Sequence, residues 1–298
     1  MSDALPLPFR YQFAAGAVAG ISEILVMYPL DMVKTRMQLQ VKGGAGPHYN
    51  GVLDCLKQIV AREGASRLYK GISSPVLMEA PKRATKFACN DEFQKLYKRE
   101  FGVEKLNQSL SILSGASAGC CEAFVVVPFE LVKIRLQDAS SSFNGPIEVV
   151  RKIIAQEGVM AMYNGLESTL WRHGVWNAGY FGVIFQVRSL LPQAQTKSQQ
   201  TRNDLIAGTI GGTFGSMLST PFDVVKSRVQ NTAVVAGQAR KYNWSWPSLF
   251  TIYREEGFAA LYKGFVPKVL RLGPGGGILL VVFTGAMDFF RTIHYKQN

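Results

Sequence analysis

Pro29-Leu30-Asp31-Met32-Val33-Lys34-Thr35-Arg36-Met37-Gln38 is written twice more in this chain. It returns as Pro128-Phe129-Glu130-Leu131-Val132-Lys133-Ile134-Arg135-Leu136-Gln137 and as Pro221-Phe222-Asp223-Val224-Val225-Lys226-Ser227-Arg228-Val229-Gln230. A recurrence of about a hundred residues makes the chain a triplicated unit. Its repeats fall at 1–101, 102–196 and 197–298. Each phrase sets an acid and a base one helical turn apart, at a proline that bends the backbone. Three copies around a pseudo-threefold axis place three acids and three bases in one ring. Such a ring can close a passage and open it again.

Other marks keep the same register. Glycine pairs precede each proline at one fixed distance: Gly16 and Gly20, Gly115 and Gly119, Gly208 and Gly212. Small residues at this spacing let helices approach closely, a device common within membranes. Downstream, Glu63-Gly64 leads to Tyr69-Lys70-Gly71, Glu157-Gly158 to Tyr163-Asn164-Gly165, and Glu256-Gly257 to Tyr262-Lys263-Gly264.

Composition narrows the class. The chain is 47 % apolar and 18 % charged, yet its mean hydropathy is only +0.07, below that of a bundle facing lipid on all sides. The charge-free stretches Leu106–Cys121, Leu205–Phe222 and Leu272–Met287 fall just short of the roughly 20 residues a bilayer span requires. Six amphipathic helices reconcile these facts, apolar outward and polar toward a water-filled cavity. The expected fold is therefore an all-α membrane protein. It has six transmembrane helices in three pseudo-threefold repeats, each with a short amphipathic helix.

A net charge of +12 suits anionic lipid headgroups or anionic solutes. The bases are spread over the repeats rather than massed among aromatics, which argues against nucleic acid. Cys55, Cys89, Cys120 and Cys121 show no metal spacing and no disulfide framework. No metal, cofactor or nucleophile–base pair is expected, so no enzyme. Gly273-Pro274-Gly275-Gly276-Gly277 lacks the Gly-Lys-Ser/Thr of a phosphate loop and reads as a packing and hinge element.

Along the chain the pattern predicts a long helix from Phe9 to Gln40 interrupted at Pro29, a short one over Val52–Arg62 and a long one over Ser73–Arg99. The order recurs over Leu110–Gln137, Ile147–Gln156 and Glu167–Leu190, then over Leu205–Gln230, Ser248–Glu255 and Val266–Ile293. Pro192–Asn203 reads as a polar linker. Lysines and arginines crowd the short-helix loops, which the positive-inside bias turns toward one compartment; an even number of spans puts both termini on the other side.

Taken together, these phrases resemble the mitochondrial carrier family over nearly the whole chain. The resemblance implies a monomer in the inner mitochondrial membrane, with short helices on the matrix side, both termini toward the intermembrane space and anionic, cardiolipin-like lipid around it. It implies a matrix gate of Asp31, Lys34, Glu130, Lys133, Asp223 and Lys226, with a glutamine brace of Gln38, Gln137 and Gln230 beneath. The opposite, cytosolic gate departs from the family's pattern. The sixth helix offers Asp288 with Arg291, the second only the offset Glu92 and Lys95 beside Asp91, and the fourth Phe185 and Arg188 with no acid. Closure there is expected to be weaker, leaving the empty protein open to the cytosol.

Equal distances from Gly71, Gly165 and Gly264 give three triplets: Met78, Arg172, Arg271; then Glu79, His173, Leu272; then Arg83, Asn177, Gly276. Two arginines at one level can each fork onto a carboxylate. Met78-Glu79, Arg172-His173 and Arg271 match the family's solute contact points. Lys82, Lys86 and Arg83 add charge, while Asn177 and Trp176 offer a donor and an apolar wall. Pro75–Tyr97 and Trp171–Gly182 are most similar to the oxodicarboxylate carriers, whose solutes include 2-oxoadipate and 2-oxoglutarate. Arg172-His173 disfavours an adenine nucleotide. If Arg83 neutralises Glu79, a C5–C7 oxodicarboxylate is expected by counter-exchange. If Glu79 is free, a basic amino acid such as ornithine gains. Another di- or tricarboxylate is the remaining alternative.

Overall fold

The computed structural model describes residues 8–41, 43, 46–103, 108–192, 196–232 and 240–296, which are mostly helical with no strand among them. Long helices α1 (Phe9–Leu39), α3 (Ser73–Phe101), α4 (Gln108–Gln137), α6 (Leu166–Leu190), α7 (Lys197–Asn231) and α9 (Phe265–Lys296) alternate with short ones. The short helices α2 (Val52–Glu63), α5 (Pro146–Glu157) and α8 (Ser245–Glu256) each end in a single 3₁₀ turn. The order long, short, 3₁₀, long occurs three times.

The glycines of the downstream phrases explain the turns. Gly64, Gly158 and Gly257 end the short helices at φ of 89°, 83° and 87° with extended ψ, a region open in practice to glycine alone. Gly71, Gly165 and Gly264, at φ of 84°, 81° and 84°, turn the chain into α3, α6 and α9. The two glycines per repeat thus return the chain against its own long helix.

That return buries one small core per repeat. Met32 and Val33 pack with Cys55 and Ile59; Leu131, Val132 and Leu136 with Val149 and Ile153; Val224, Val225 and Val229 with Ile252 and Leu261. Each core joins the segment after a proline to the apolar face of a short helix. Between repeats, α3 lies along α4, α6 along α7 and α9 along α1. By length and composition, Tyr11–Leu39, Leu110–Gln137 and Phe258–Ile293 could each cross a membrane.

Three expectations are corrected. Pro29 does not interrupt α1, and Pro128 and Pro221 likewise lie inside continuous helices; one missing N–H bends a helix that its neighbours hold together. The polar stretch Pro192–Asn203 is not all linker, because Thr196 and Gln199 form a capping box that starts α7 at Lys197. The glycine pairs are not sites of close helix approach. A Cβ at Gly115, Gly119 or Gly208 would meet nothing. Gly16 and Gly20 instead leave room for the Arg83 and Glu79 side chains from α3. Close backbone contact occurs at Gly179, Gly211 and Gly215, where α6 crosses α7.

Candidate functional site

Acid and base three residues apart on a helix point toward different neighbours, and the structure uses this. Lys133 of α4 donates to Asp31 of α1 at 2.8 Å, and Lys226 of α7 to Glu130 of α4 at 2.5 Å. Lys34 of α1 lies 3.5 Å from Asp223 of α7. Every pair crosses between repeats, so the three close a ring through α1, α4 and α7. Asp31, Asp223 and Lys226 are buried.

Lys268 of α9, which symmetry does not flag, joins the ring from outside the phrases. Its Nζ donates to Asp223 Oδ2 at 2.6 Å and to Ser219 Oγ at 2.8 Å. It is the nearer cation to Asp223, ahead of Lys34. Pro75 and Thr169 hold the matching places in the other repeats, so no triplet drew attention to it.

Both expected arginines reach down to the ring. Arg271 forks, one Nη onto Asp31 and the other onto Glu23 Oε1 at 2.9 Å. Arg172 Nε lies 3.7 Å from Asp223, and its Nη2 meets His173 Nε2 at 2.7 Å. A guanidinium only donates, so His173 accepts there as a neutral ring. Glu23, Asp31, Lys34, Lys268 and Arg271 line one cavity of about 330 Å³.

Above this level Glu79 is buried and ion-paired, with Arg83 at 2.6 Å and Lys82 at 3.5 Å. Met78 sits half-buried beside it. Lys86 is 4.0 Å from Glu122. Asn177 donates to the His173 carbonyl at 2.9 Å. Trp176 stacks on Tyr180, with its edge over Gly215 of α7.

The glutamine brace is not made as expected. Gln38 accepts from Ser227 at 2.7 Å, while the amide groups of Gln137 and Gln230 are buried without a hydrogen bond to the ring. The stems of Gln38 and Gln230 instead lie against Gly264 and Gly165, where a Cβ would stand 2.9 Å and 2.8 Å from them.

At the other end of the long helices, the expected gate residues pair locally. Lys95 holds Asp91 and Glu92 on its own helix, and Arg291 faces Asp288 on α9 at 3.5 Å. Arg188, with no acid at its end of α6, pairs with Asp204 of α7 at 2.9 Å. The Phe185 side chain lies outside the described residues. Among those described, no ion pair at this end joins α3, α6 and α9 to one another.

A second set of charges is tied more tightly than the ring. Arg36 forks onto Glu63 with two bonds of 2.8 Å; Arg135 does so onto Glu157 and Arg228 onto Glu256. Arg228 also donates to the Gln38 and Gln40 carbonyls, and Arg135 to that of Gln230, linking neighbouring repeats. Burial opposes charge on Glu256, yet the bonds from Arg228 and Lys263 outweigh it and hold the carboxyl down to about 2. Each fork joins the arginine of a ten-residue phrase to the acid of an acid-glycine phrase, two signals that stood apart in the sequence.

Comparison with known proteins bears on this arrangement. The family model described as mitochondrial carrier protein matches residues 6–101, 104–195 and 197–294. The chain is 70 % identical to the mitochondrial citrate transporter D of Aspergillus niger, over 97 % of this chain and 96 % of that one. It is 63 % identical to the mitochondrial 2-oxodicarboxylate carrier 2 of Saccharomyces cerevisiae, over 99 % and 98 %, and 39 % identical to the human mitochondrial 2-oxodicarboxylate carrier, over 91 % of each. A match running through all three repeats, on a helical chain whose phrases close one ring, means that this protein belongs to the mitochondrial carrier family.

Proposed function

We propose that the chain is a transporter of the inner mitochondrial membrane that exchanges C5–C7 oxodicarboxylates, 2-oxoadipate and 2-oxoglutarate among them, by alternating access. One observation carries the substrate class. In the ring and the groups bound to it, six cations (Lys34, Lys133, Lys226, Lys268, Arg172 and Arg271) meet four carboxylates, Glu23, Asp31, Glu130 and Asp223. The excess of two positive charges is what a dianion neutralises. Glu79, already held by Arg83 and Lys82, has no call for an ammonium group, which counts against an ornithine-like solute. Relatives named as 2-oxodicarboxylate carriers support the same reading.

All six long helices cross the membrane in this reading, and the three repeats form one transport domain that works as a monomer. The ring end faces the matrix with the short helices and their anionic lipid; both termini face the intermembrane space. With the ring closed and, among the described residues, no ion pair joining the even-numbered spans at the other end, the state is the one open to the cytosol. The same arginines that bind the solute also hold Asp31 and Asp223. A carboxylate arriving at Arg271 and Arg172 therefore competes with the ring itself. Each ring pair contributes a few kcal/mol at most, an amount that better contacts to a solute can offset.

A tricarboxylate is the second reading, favoured by the relative named as a citrate transporter and by the further positive charge of the Arg83, Lys82 and Glu79 group above the floor. Proteoliposomes separate the two. Labelled 2-oxoglutarate should enter against internal 2-oxoadipate, with external 2-oxoadipate, citrate, ornithine and ATP as competitors. Strong competition by 2-oxoadipate alone supports the first reading; citrate competing more strongly replaces it with the second.

A further inference from the structure

Arg271 is engaged on both sides before any solute arrives. One Nη holds Asp31 of the ring, and the other donates to Glu23 Oε1 at 2.9 Å. Glu23 makes no pair within the ring. Its side chain is 23 % exposed, toward the cavity it shares with Asp31, Lys34, Lys268 and Arg271. Gly275 of α9 gives it room, since a Cβ there would stand 3.2 Å from its Oε1. Matching positions in the other repeats hold Glu122, which faces Lys86, and Gly215. Glu23 thus occupies the place on Arg271 that an incoming carboxylate needs.

We propose that Glu23 carries a proton across with the solute. The proposal rests on the dicarboxylate reading above. When a solute carboxylate takes the Nη2 edge of Arg271, Glu23 loses its counter-ion and faces a dianion while water is being excluded. Like-charge repulsion and desolvation then both act on it. The charged groups around it offer no substitute. On α9 Lys268 is held by Asp223; on α1 Lys34 faces Asp223; on α4 Lys133 holds Asp31; on α3 Arg83 holds Glu79, both lying across Gly16 and Gly20. Among the described residues Arg271 alone pairs with Glu23, and none of these other cations reaches it, so the charge that replaces Arg271 there is a proton. An O–H bond forms on Glu23 with a proton from water on the entry side. It breaks on the exit side when the dicarboxylate leaves and Arg271 returns to Glu23.

The test uses full-length protein in proteoliposomes, wild type and Glu23→Gln, with labelled 2-oxoglutarate exchanged at external pH of about 6 and about 8, values that bracket neutrality. The wild type should run several-fold faster at the lower pH. Glu23→Gln should bind 2-oxoglutarate with a lower half-saturation concentration and show the same rate at both values. The rise in unfolding temperature on adding 2-oxoglutarate to detergent-solubilised protein gives a second readout that needs no turnover. It should depend on pH in the wild type and not in the variant. A Glu23→Gln protein that keeps the wild-type pH slope in both measurements overturns the proposal. A wild type that neither exchanges nor is stabilised by 2-oxoglutarate at either pH overturns the dicarboxylate reading and this proposal with it, and the two failures are distinct.

Discussion

Arg228 and Glu256, separated by 28 positions, meet through a two-bonded fork that is almost wholly shielded from solvent. Tyr242 accepts from the same guanidinium at 3.3 Å, and Lys263 reaches the same carboxylate at 3.0 Å. The fork fastens α8 to the end of α7, and the Arg228 bonds to the Gln38 and Gln40 carbonyls fasten both to α1.

Removing one member leaves a buried charge without its partner. Glu256→Gln should therefore lower stability by about 3–5 kcal/mol, read from unfolding in detergent. The sign with pH follows from the depressed carboxyl: about 2 in the folded chain against an ordinary 4.5. The stabilisation is complete above 4.5 and is lost as pH falls toward 2. The gap between wild type and Glu256→Gln should narrow over that interval and stay constant above it. A gap that is unchanged in acid would remove the charge from the explanation.

The ring makes a different kind of prediction, about who pairs with whom. Lys226→Glu should stop exchange, because two carboxylates then face each other across the α4–α7 seam. Adding Glu130→Lys should restore a substantial part of it, since the pair is re-formed with its signs reversed. Adding Asp223→Lys, which reverses the acid on the same helix, should not. Rescue by the same-helix change in place of the cross-helix one would mean that the pairs are local helix supports.

What could be read from the sequence was what came in threes. The long and short helices, the ring and the two lower arginines all sit at positions that recur, and recurrence converts sequence distance into shared depth. The residues that escaped have no copies. Lys268 stands where the other repeats have Pro75 and Thr169, and Glu23 belongs to a triplet completed by Glu122 and Gly215. The forks escaped for another reason: both halves were visible, but only the chain's return at Gly64, Gly158 and Gly257 brings them together. The paired glycines misled because one spacing serves two purposes, open space around Gly115 and tight contact around Gly215.

Arg172 and Arg271 are each held by a ring acid that keeps another cation when the arginine is removed. Arg271→Ala and Arg172→Ala should each abolish 2-oxoglutarate exchange while the protein still folds, since Asp31 keeps Lys133 and Asp223 keeps Lys268. Arg172→Lys should recover little, because an ammonium lacks the planar fork that reads a carboxylate. Exchange measured on protein of unchanged unfolding temperature is the check; transport retained by both alanine variants would place the solute elsewhere.

The glycines provide a contrast that needs no solute. At Gly215 a Cβ would lie 2.8 Å from the Trp176 carbonyl, a backbone atom that cannot swing away, and a Cβ at Gly179 of α6 would stand 3.0 Å from the Gly215 Cα. Gly215→Ala should push α6 from α7 and destabilise the protein by about 1–3 kcal/mol, the usual range for overpacking. Gly115 belongs to an i, i+4 glycine pair, as Gly215 does with Gly211, yet has open space around it. Gly115→Ala should be neutral or stabilising by up to about 1 kcal/mol, through the higher helix propensity of alanine. Unfolding temperatures of the two variants in one detergent decide the matter: equal losses at both positions would mean that the α3–α4 seam is as tight as the α6–α7 seam.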